Sequence, residues 1–406
     1  MKKFFKTIKN FIKETDKVLL LLCMLTSAFG CTAVLSATRW SAAEGTSLTR
    51  DFIVMVAAVC AGLVISLIIS FIDYEFIIKM APLVGFVCIA MMLLLFVIGV
   101  GPVERPDAKT WIKFGPIFFQ PSEIVKIGFI ITFGVHLEKL KGNINHPLSI
   151  LQLGIHALIP VGLVIVSGDM GSALVFIIIA IAMLFISGLH WGYFLGGGLV
   201  LLACLPIAWI FVLDGIQKDR ILALFNPELY PDIIYQQERG LAALGGGGIT
   251  GQGLFKGTLT QIPNAIPEAE NDMIFTVIGE ELGLIGCVTA LLLLAGIVLR
   301  IISTGRHDKA GNTKVMCYGV ASMIAGQDII NIGMCLMVLP VIGITLPFFS
   351  AGGSSNLCIY FAIGLILSFY RYNQHNDMIH VSQHNIYNPF SDIKKRGQTT
   401  SYFKPF

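Results

Sequence analysis

The sequence predicts an all-α integral membrane protein with about ten transmembrane helices. Of its 406 residues, 55% are hydrophobic and only 13% are charged, and the mean hydropathy is +0.79. A soluble domain carries about 25% charged residues, so this composition argues against a set of soluble domains. Runs of roughly 20 apolar residues, the length that crosses a bilayer core, recur along the whole chain. The net charge of +3 indicates no particular class of partner.

The apolar runs divide the chain into three parts. Residues 1–17 form a basic N-terminal segment, residues 18–371 a membrane domain, and residues 372–406 a polar C-terminal tail. The first apolar run is long enough to span, so we expect it to be retained as an anchor. The expected spans are 18–38, 52–72, 80–100, 121–138, 148–167, 171–188, 192–213, 273–300, 315–339 and 344–370.

The distribution of Lys and Arg predicts the orientation. With the N-terminus in the cytoplasm, the inner side carries twice as many Lys and Arg residues as the outer side, as membrane proteins generally show. Both termini are therefore predicted to be cytoplasmic, and the large loop at 214–272, between helices 7 and 8, extracellular. The nine cysteines lie in apolar segments without a CxxC pair, so neither a disulfide framework nor a metal cluster is expected.

The loop at 214–272 is by far the longest, and loops of such length are usually functional or disordered. Its glycines and prolines are compatible with a flexible linker. Its interspersed apolar residues, such as Leu224, Leu241 and Phe255, favour short helices lying on the membrane face instead.

Several charged residues fall within or beside the predicted spans, where charges are costly. Glu123 and Lys126 share one helix face and can pair, either as a structural ion pair or as a site whose lysine meets an anion. Asp169 is either a turn or cap residue or part of a site. Asp328, with Gln327 and Asn331, is expected to form polar bonds between helices.

Three acids, Glu268, Glu270 and Asp272, crowd the point where the long loop re-enters the membrane. Like charges this close, together with burial, raise carboxyl pKa values, which suits a general base working near neutral pH. Acids also favour helix N-termini, so a capping cluster explains the same residues equally well.

Prolines and glycines at 340–353 predict a broken helix on the outer side, and such backbone is tolerated only where it is buried or lines a cavity. Gly352 and Gly353 before a helix, followed by Ser354, suit anion binding through free N–H groups. Two outer loops, 101–120 and 214–272, thus bring cations and acids to one face. Chemistry on a phosphate-bearing lipid and a transporter with a substrate vestibule are both compatible with this pattern.

The order and spacing of several motifs resemble the SEDS family (shape, elongation, division, sporulation), which includes RodA, FtsW and SpoVE. The resemblance covers residues 18–371, and the stretch beginning at Asp219 is closer to the RodA branch. The motifs are Trp111-Ile112; Gln120-Pro121-Ser122-Glu123 with Lys126; Gly168-Asp169-Met170-Gly171-Ser172-Ala173; Asp219-Arg220-Ile221-Leu222-Ala223 with Asn226-Pro227-Glu228; Gly251-Gln252-Gly253-Leu254; Pro267-Glu268 with Asp272 and Ile274-Phe275; Gly279-Glu280-Glu281-Leu282-Gly283; Gln327 with Asn331; and Leu346-Pro347-Phe348 with Ser350 and Gly352-Gly353-Ser354-Ser355.

The resemblance implies a ten-helix fold and a peptidoglycan glycosyltransferase that polymerises lipid II, the undecaprenyl-linked precursor, for cell-wall synthesis and cell shape. It implies a bacterial plasma membrane location and a class B penicillin-binding protein, a transpeptidase, as partner. Asp272 matches the aspartate that is essential in the family, and Glu123 and Lys126 match its fourth-helix pair. This sequence departs from the family at Glu270-Asn271, where His-Thr is common, and at Met273, where an aromatic residue is common.

The hypothesis that follows is inverting glycosyl transfer with Asp272 as the catalytic base. Developing charge on the pyrophosphate needs cations, and the candidates are Lys109, Lys113, Lys126 and Arg220, or a divalent cation such as Mg²⁺ or Mn²⁺. No organic cofactor is expected. Further binding candidates are Glu123 and Ser354, and the supporting candidates are Trp111, Gln120, Asp169, Glu268, Glu270 and Glu281. A flippase or transporter for a lipid-linked precursor, or a non-catalytic scaffold, is the alternative.

Overall fold

A computed structural model describes residues 15–42, 48–101, 108–115, 117–308 and 313–386. The predicted N-terminal segment and C-terminal tail therefore lie largely outside the described residues. The described part is mostly helical. Its α-helices are α1 Lys17–Thr38, α2 Arg50–Ser70, α3 Tyr74–Ile98, α4 Pro121–Lys139, α5 Pro147–Val166, α6 Met170–Ile186, α7 Trp191–Phe211, α8 Gly215–Phe225, α9 Pro231–Gly247, α10 Ile274–Arg306, α11 Lys314–Cys335 and α12 Gly353–Ile386.

Short elements complete the described chain. Two 3₁₀ turns cover Arg39–Ser41 and Pro227–Leu229. An antiparallel hairpin pairs β1, Ile112–Phe114, with β2, Ile117–Phe119, and Ile112 lies opposite Phe119. Trp111 forms an isolated bridge to Val100, which ties this hairpin to the end of α3.

The helices confirm the prediction of an all-α membrane protein. Eight of them are long and apolar enough to cross a bilayer, namely α1, α2, α3, α5, α7, α10, α11 and α12. The remaining predicted spans correspond to α6, which is apolar but has only 17 residues, and to α4, which carries the Glu123–Lys126 pair. Helix bounds agree with the predicted spans within a few residues, apart from α3, α10 and the last two spans.

The tenth predicted span, 344–370, is wrong at its start. Residues 339–352 are not helical, and α12 begins only at Gly353. Pro347 is followed by Phe348 with φ +66°, and Gly343 has φ +71°, conformations that no α-helix contains. We call residues 336–352 the re-entrant segment. Although apolar, it turns back into the protein, where Leu346, Phe348 and Phe349 are buried.

The long loop contains α8 and α9, which agrees with the expected short helices. Its glycine-rich part is ordered because α10 is broken at Gly283, which has φ +64°. At this break the N–H groups of Gln252 and Gly253 donate to the carbonyls of Glu280 and Glu281, at 3.0 and 2.9 Å. The N–H groups of Leu284 and Ile285 donate in turn to the carbonyls of Gly248 and Ile249. Loop backbone thus satisfies the polar groups that the broken helix frees.

Candidate active site

Asp272 ends a tight turn that leads from the long loop into α10. Glu268 adopts φ +53°, and its carbonyl accepts hydrogen bonds from the N–H groups of Asn271 and Met273, both at 3.1 Å. Asn271 Nδ2 also donates to Glu268 Oε2 at 2.8 Å. The residue before α10 is Met273, and no side chain caps this helix. The interpretation of the acids as a capping cluster is therefore wrong for Asp272.

The re-entrant segment packs on this acidic turn and fixes it. Ser350 Oγ donates to the carbonyl of Asn271 at 2.8 Å, and the N–H of Ala351 donates to the carbonyl of Glu270 at 2.9 Å. Asn331 Nδ2, on α11, bridges the two segments by donating to the carbonyls of Asp272 and Ile344, at 2.8 and 2.7 Å. The backbone of the turn is thereby fixed, and the Asp272 side chain is left for other partners.

The surroundings of Asp272 raise the pKa of its carboxyl to about 7. Burial is the largest cause and Glu268 the second, while Arg220 opposes them and Glu270 adds to them. Protein surrounds the carboxyl closely, yet the residue keeps part of its surface accessible. A Cβ built at Gly343 would lie 3.7 Å from Asp272 Oδ2, so a glycine leaves room beside the acid. Burial likewise raises the pKa of Glu270.

Helices α8 and α9 hold both segments from the loop side. Arg220 donates to the carbonyl of Val341 at 2.9 Å, and Gln236 donates to the carbonyl of Pro267 at 3.1 Å. Gln237 is buried and donates to the carbonyls of Met334 and Leu339, both at 2.8 Å. Sequence reasoning missed Gln236 and Gln237. Both lie on α9, which is more amphipathic than α8, and this pattern was the available signal.

A second polar cluster joins α4 to α6. Asp169 Oδ2 accepts from Gln120 Nε2 at 2.7 Å and from Ser122 Oγ at 3.0 Å, and Asp169 Oδ1 accepts from the N–H of Ser172 at 2.9 Å. Asp169 is therefore a helix cap that also fixes the start of α4. This is one of its two predicted uses.

The two clusters lie on the same side of the bundle. Gly171, in the first turn of α6, packs so closely on the re-entrant segment that an added Cβ would come 2.5 Å from the carbonyl of Ile342. Beside the second cluster, the N–H of Lys109 donates to the carbonyl of Ser167 at 2.9 Å. We call this side of the protein the Asp272 face.

The candidate cations differ in their surroundings. Lys113 is exposed on β1, 5.6 Å from the ring centre of Phe118, and Lys109 is half-buried with its ammonium on the carbonyl of Phe96. Lys126 has no exposed surface, and its Nζ lies 2.7 Å from Glu123 Oε1. The predicted Glu123–Lys126 pair is thus present inside the bundle, where the lysine faces a protein carboxylate.

Two further predicted residues have structural surroundings. Glu281 is buried and accepts hydrogen bonds from Ser36 Oγ at 2.7 Å and from the N–H groups of Phe255 and Gly257. It therefore ties α1 and the long loop to α10 rather than lying beside Asp272. Ser354 is buried in the first turn of α12.

Asp328 was expected to form polar bonds between helices, and for its Oδ1 atom this expectation is wrong. Asp328 Oδ1 and both polar side-chain atoms of Gln327 are buried without a hydrogen-bond partner in the described chain. Of the three polar residues predicted to join helices there, Asn331 is the one whose side-chain bonds reach other segments. Both Gln327 and Asp328 lie about one turn from Asn331 on α11.

Sequence comparisons identify relatives that cover most of the chain. The probable peptidoglycan glycosyltransferase FtsW of Geobacter metallireducens is 30% identical over 377 residues, or 90% of this chain and 96% of the relative. The peptidoglycan glycosyltransferase MrdB of Escherichia coli K12 is 30% identical over 324 residues, or 79% of this chain and 85% of the relative.

Solved structures show a similar fold. A chain from a peptidoglycan synthase complex, described as coordinating polymerization and crosslinking, aligns with a TM-score of 0.74 at 25% identity over 88% of this chain and 98% of that one. The rod shape determining protein RodA of Thermus thermophilus aligns with a TM-score of 0.65 at 24% identity, covering 88% and 97% of the two chains. The family model that unites FtsW, RodA and SpoVE, described as cell cycle protein, matches residues 16–375. The chain therefore belongs to the FtsW/RodA/SpoVE family.

Proposed function

We propose that this family member is a peptidoglycan glycosyltransferase that polymerises lipid II in the bacterial plasma membrane, with Asp272 as its base. The relatives at 30% identity carry that enzyme name. The observation that carries the residue assignment is a partly accessible carboxyl on a turn that Asn331 and Ser350 hold in place, where the loop enters α10. Burial there raises the pKa of Asp272 to about 7. A base with such a pKa is well matched to proton transfer near neutral pH.

The proposed reaction is a single inverting displacement. Asp272 takes the proton of the 4-hydroxyl of the acceptor N-acetylglucosamine as that oxygen attacks the anomeric carbon of the donor. The carbon–oxygen bond to the lipid pyrophosphate breaks, and its electron pair leaves with undecaprenyl pyrophosphate. Glu268 and Glu270 keep the proton affinity of Asp272 high enough for this transfer, and Arg220 limits the rise.

Charge on the departing pyrophosphate needs positive partners. We assign this role to Arg220 and Lys113, which lie on the Asp272 face. Lys109 lies on the same face, but its ammonium rests on the carbonyl of Phe96. Lys126 was a fourth candidate, but its complete burial against Glu123 supports a role in holding the bundle together. Ser354 and the N–H groups that open α12 remain candidates for phosphate contacts.

A divalent cation is the remaining source of positive charge. In the described chain, no three His, Cys, Asp or Glu side chains converge closely enough to hold a metal ion by themselves. Mg²⁺ needs only one or two carboxylates when substrate phosphates complete its shell, and Glu268 and Glu270 fit that task. When bound, Mg²⁺ or Mn²⁺ would neutralise charge on the leaving group.

Removing divalent cations with a chelator is expected to lower polymerisation, and adding Mg²⁺ or Mn²⁺ is expected to restore it. Glu270→Gln should raise the concentration of Mg²⁺ that gives half-maximal rate. An unchanged rate in chelator would remove the metal from this proposal and leave the charge to be neutralised by Lys113 and Arg220.

We also propose that a class B penicillin-binding protein crosslinks the glycan strands that this chain makes. Similarity to a chain of a peptidoglycan synthase complex supports such a partner.

One observation favours the alternative of a flippase or transporter. Asp328 Oδ1 is buried in a predicted span without a partner, and intramembrane carboxyls of this kind often mark proton relays. Asp328 and Asp272 therefore separate the two functions, because a glycosyltransferase depends on Asp272 whereas a proton-coupled carrier depends on Asp328.

The deciding experiment measures glycan strands made from purified lipid II by the protein reconstituted with its transpeptidase partner. Asp272→Asn is expected to lower the rate by about 10²–10⁴-fold, the usual contribution of a general base. Asp328→Asn is expected to retain activity, and Glu238→Gln, an exposed acid on α9, is the matched control. If Asp272→Asn makes strands at the wild-type rate, Asp272 is not the catalytic base. If neither the wild type nor any variant makes strands, and if lipid II translocation is lost in Asp328→Asn, the result would favour the flippase.

A further inference from the structure

A groove of about 430 Å³ lies between α3, α4 and α5, away from the acidic turn. Its lining is almost entirely apolar and includes Cys88, Met92, Phe129, Ile155, Ile159 and Leu163. Ile155 and Ile159 are 51% and 45% exposed on the outer surface of the bundle. Because α3 and α5 are long and apolar enough to cross a bilayer, we expect the groove to open sideways into the hydrocarbon core.

Polar side chains end the groove on the side remote from the Asp272 face. His136 Nδ1 lies 3.0 Å from His156 Nδ1, and His156 Nε2 lies 3.2 Å from Thr132 Oγ1. Gln152 shares a further hydrogen bond with His136. These four residues bond one another, so together they form a polar floor that needs no outside partner.

Lys109 lies about one helical turn beyond the lining at the opposite end of the groove. Its ammonium rests on the carbonyl of Phe96, and its backbone N–H donates to the carbonyl of Ser167. Phe96 lies one helical turn beyond Met92, and Ser167 lies one turn beyond Leu163, and both Met92 and Leu163 line the groove. A cation therefore stands just beyond the end of the apolar groove, on the side of the Asp272 face.

The groove is about as deep as one leaflet. Along α4 its lining runs from Val125 to His136, which at about 1.5 Å per residue corresponds to roughly 16 Å. Half of a bilayer core of about 30 Å is close to that length. One lipid chain of the leaflet on the Asp272 face would thus extend along the apolar lining from the level of Val125 to the polar floor.

We propose that this groove binds one acyl chain of an anionic phospholipid whose headgroup contacts Lys109. The apolar lining accommodates the chain, the polar floor limits its length, and the lysine selects a negative headgroup. Lys109 also contacts Ser167, two residues before Asp169, so the bound lipid would brace the cluster that joins α4 to α6. This lipid site is separate from the Asp272 turn and does not depend on the proposed transferase activity.

The test uses the full chain in vesicles that contain a small fraction of a phospholipid with a photoreactive diazirine at its chain end. We expect light to attach the phosphatidylglycerol probe to peptides of α4 and α5 around His136 and His156. A phosphatidylcholine probe with the same chains should label these peptides several-fold less. Equal labelling by the two probes would contradict the proposal that the site selects an anionic headgroup.

Matched variants test the groove itself. Ile159→Trp fills it and is expected to reduce labelling several-fold, whereas Leu158→Trp, at a neighbouring position that is 67% exposed and outside the groove, should not. Ile155→Trp replaces Ile159→Trp if the latter does not fold. Lys109→Gln should remove the preference for phosphatidylglycerol while the chain still labels the groove. Labelling that survives both tryptophans, or that undecaprenyl phosphate displaces better than unlabelled phosphatidylglycerol, would overturn the proposal.

Discussion

At the scale of single residues, the proton affinity of Asp272 depends on neighbours from three elements. Glu268 and Glu270 belong to the same turn, Arg220 comes from α8, and burial arises from the re-entrant segment packed on that turn. A carboxyl with a pKa of about 7 is protonated in half of the molecules at that pH. A base is active only when deprotonated, so the polymerisation rate should rise with pH through this value.

Glu268→Gln removes a negative charge that raises the pKa of Asp272, so the rising limb of the pH–rate profile should move to lower pH. Arg220→Gln removes a cation that lowers this pKa and should move the limb to higher pH. Steady-state rates of the reconstituted protein between pH 5 and 9 provide the measurement. Glu238→Gln is the control, and shifts of the same sign in both test variants would contradict the assignment.

The Glu123–Lys126 pair is a second case in which the surroundings of a residue decide its role. Removing one partner of a buried pair leaves an uncompensated charge, which typically costs about 3–5 kcal/mol. Glu123→Ala should therefore lower the unfolding free energy by about that amount, seen as a large drop in melting temperature in detergent.

The double variant Glu123→Gln/Lys126→Met removes both charges together. If the pair serves only to hold α4 in the bundle, this variant should melt near the wild-type temperature and retain polymerisation. A stable but inactive double variant would instead indicate that the lysine contacts an anionic substrate, the second interpretation given in the sequence analysis.

At the scale of elements, the long loop and α10 depend on each other. The break at Gly283 exposes backbone groups that residues 248–253 satisfy, and Glu280 and Glu281 then bind the following loop residues. Glu280, for example, accepts from the N–H groups of Leu259 and Thr260 at 2.7 and 2.8 Å. Glu280 and Glu281 therefore provide the hydrogen-bond acceptors that order the loop, although their local sequence is that of an ordinary helix.

Gly283→Ala should disrupt this arrangement, because a Cβ there would lie 2.4 Å from the backbone nitrogen of Gly251, at a positive φ. The expected result is a melting temperature lowered by several degrees and faster proteolysis within residues 249–262. Gly296→Ala, in the same helix with its nearest neighbour 3.5 Å away, should have little effect on either measurement. Equal effects of the two substitutions would argue against the break as the cause.

At the scale of the whole molecule, the elements of the Asp272 face come from distant parts of the chain. The acidic turn, the re-entrant segment, α8 and α9 contact one another directly, while the hairpin and the Asp169 cluster lie beside them. In contrast, α7 has no buried residue along its 21-residue length, so it stands at the margin of the bundle. The charge distribution predicts that the Asp272 face is extracellular.

This orientation can be tested with single cysteines in a variant whose native cysteines are replaced. Lys113→Cys, exposed on the hairpin of the Asp272 face, should react with a membrane-impermeant maleimide in intact cells. Lys141→Cys, exposed in the loop between α4 and α5, should react only after the membrane is permeabilised. The opposite pattern would invert the predicted topology.

The membrane class, most of the span positions and the three acids at the start of α10 could be predicted from the sequence, because hydrophobic length and charge placement are local properties of the chain. It also predicted the Glu123–Lys126 pair, which follows from helical spacing. Local patterns did not distinguish an apolar re-entrant segment from the start of a helix at 344–352.

The contacts of each polar residue became known only from the packing of the whole chain. Gln237, Asn331 and Glu281 are bonded to segments far away in sequence, and nothing in their local pattern identifies those partners. The structure also shows that the two candidate cations differ. Lys126 is buried and paired with Glu123, whereas the charge of Arg220 lowers the pKa of Asp272. Burial and the positions of neighbouring charges set the pKa of a carboxyl, and both arise only when distant segments pack together.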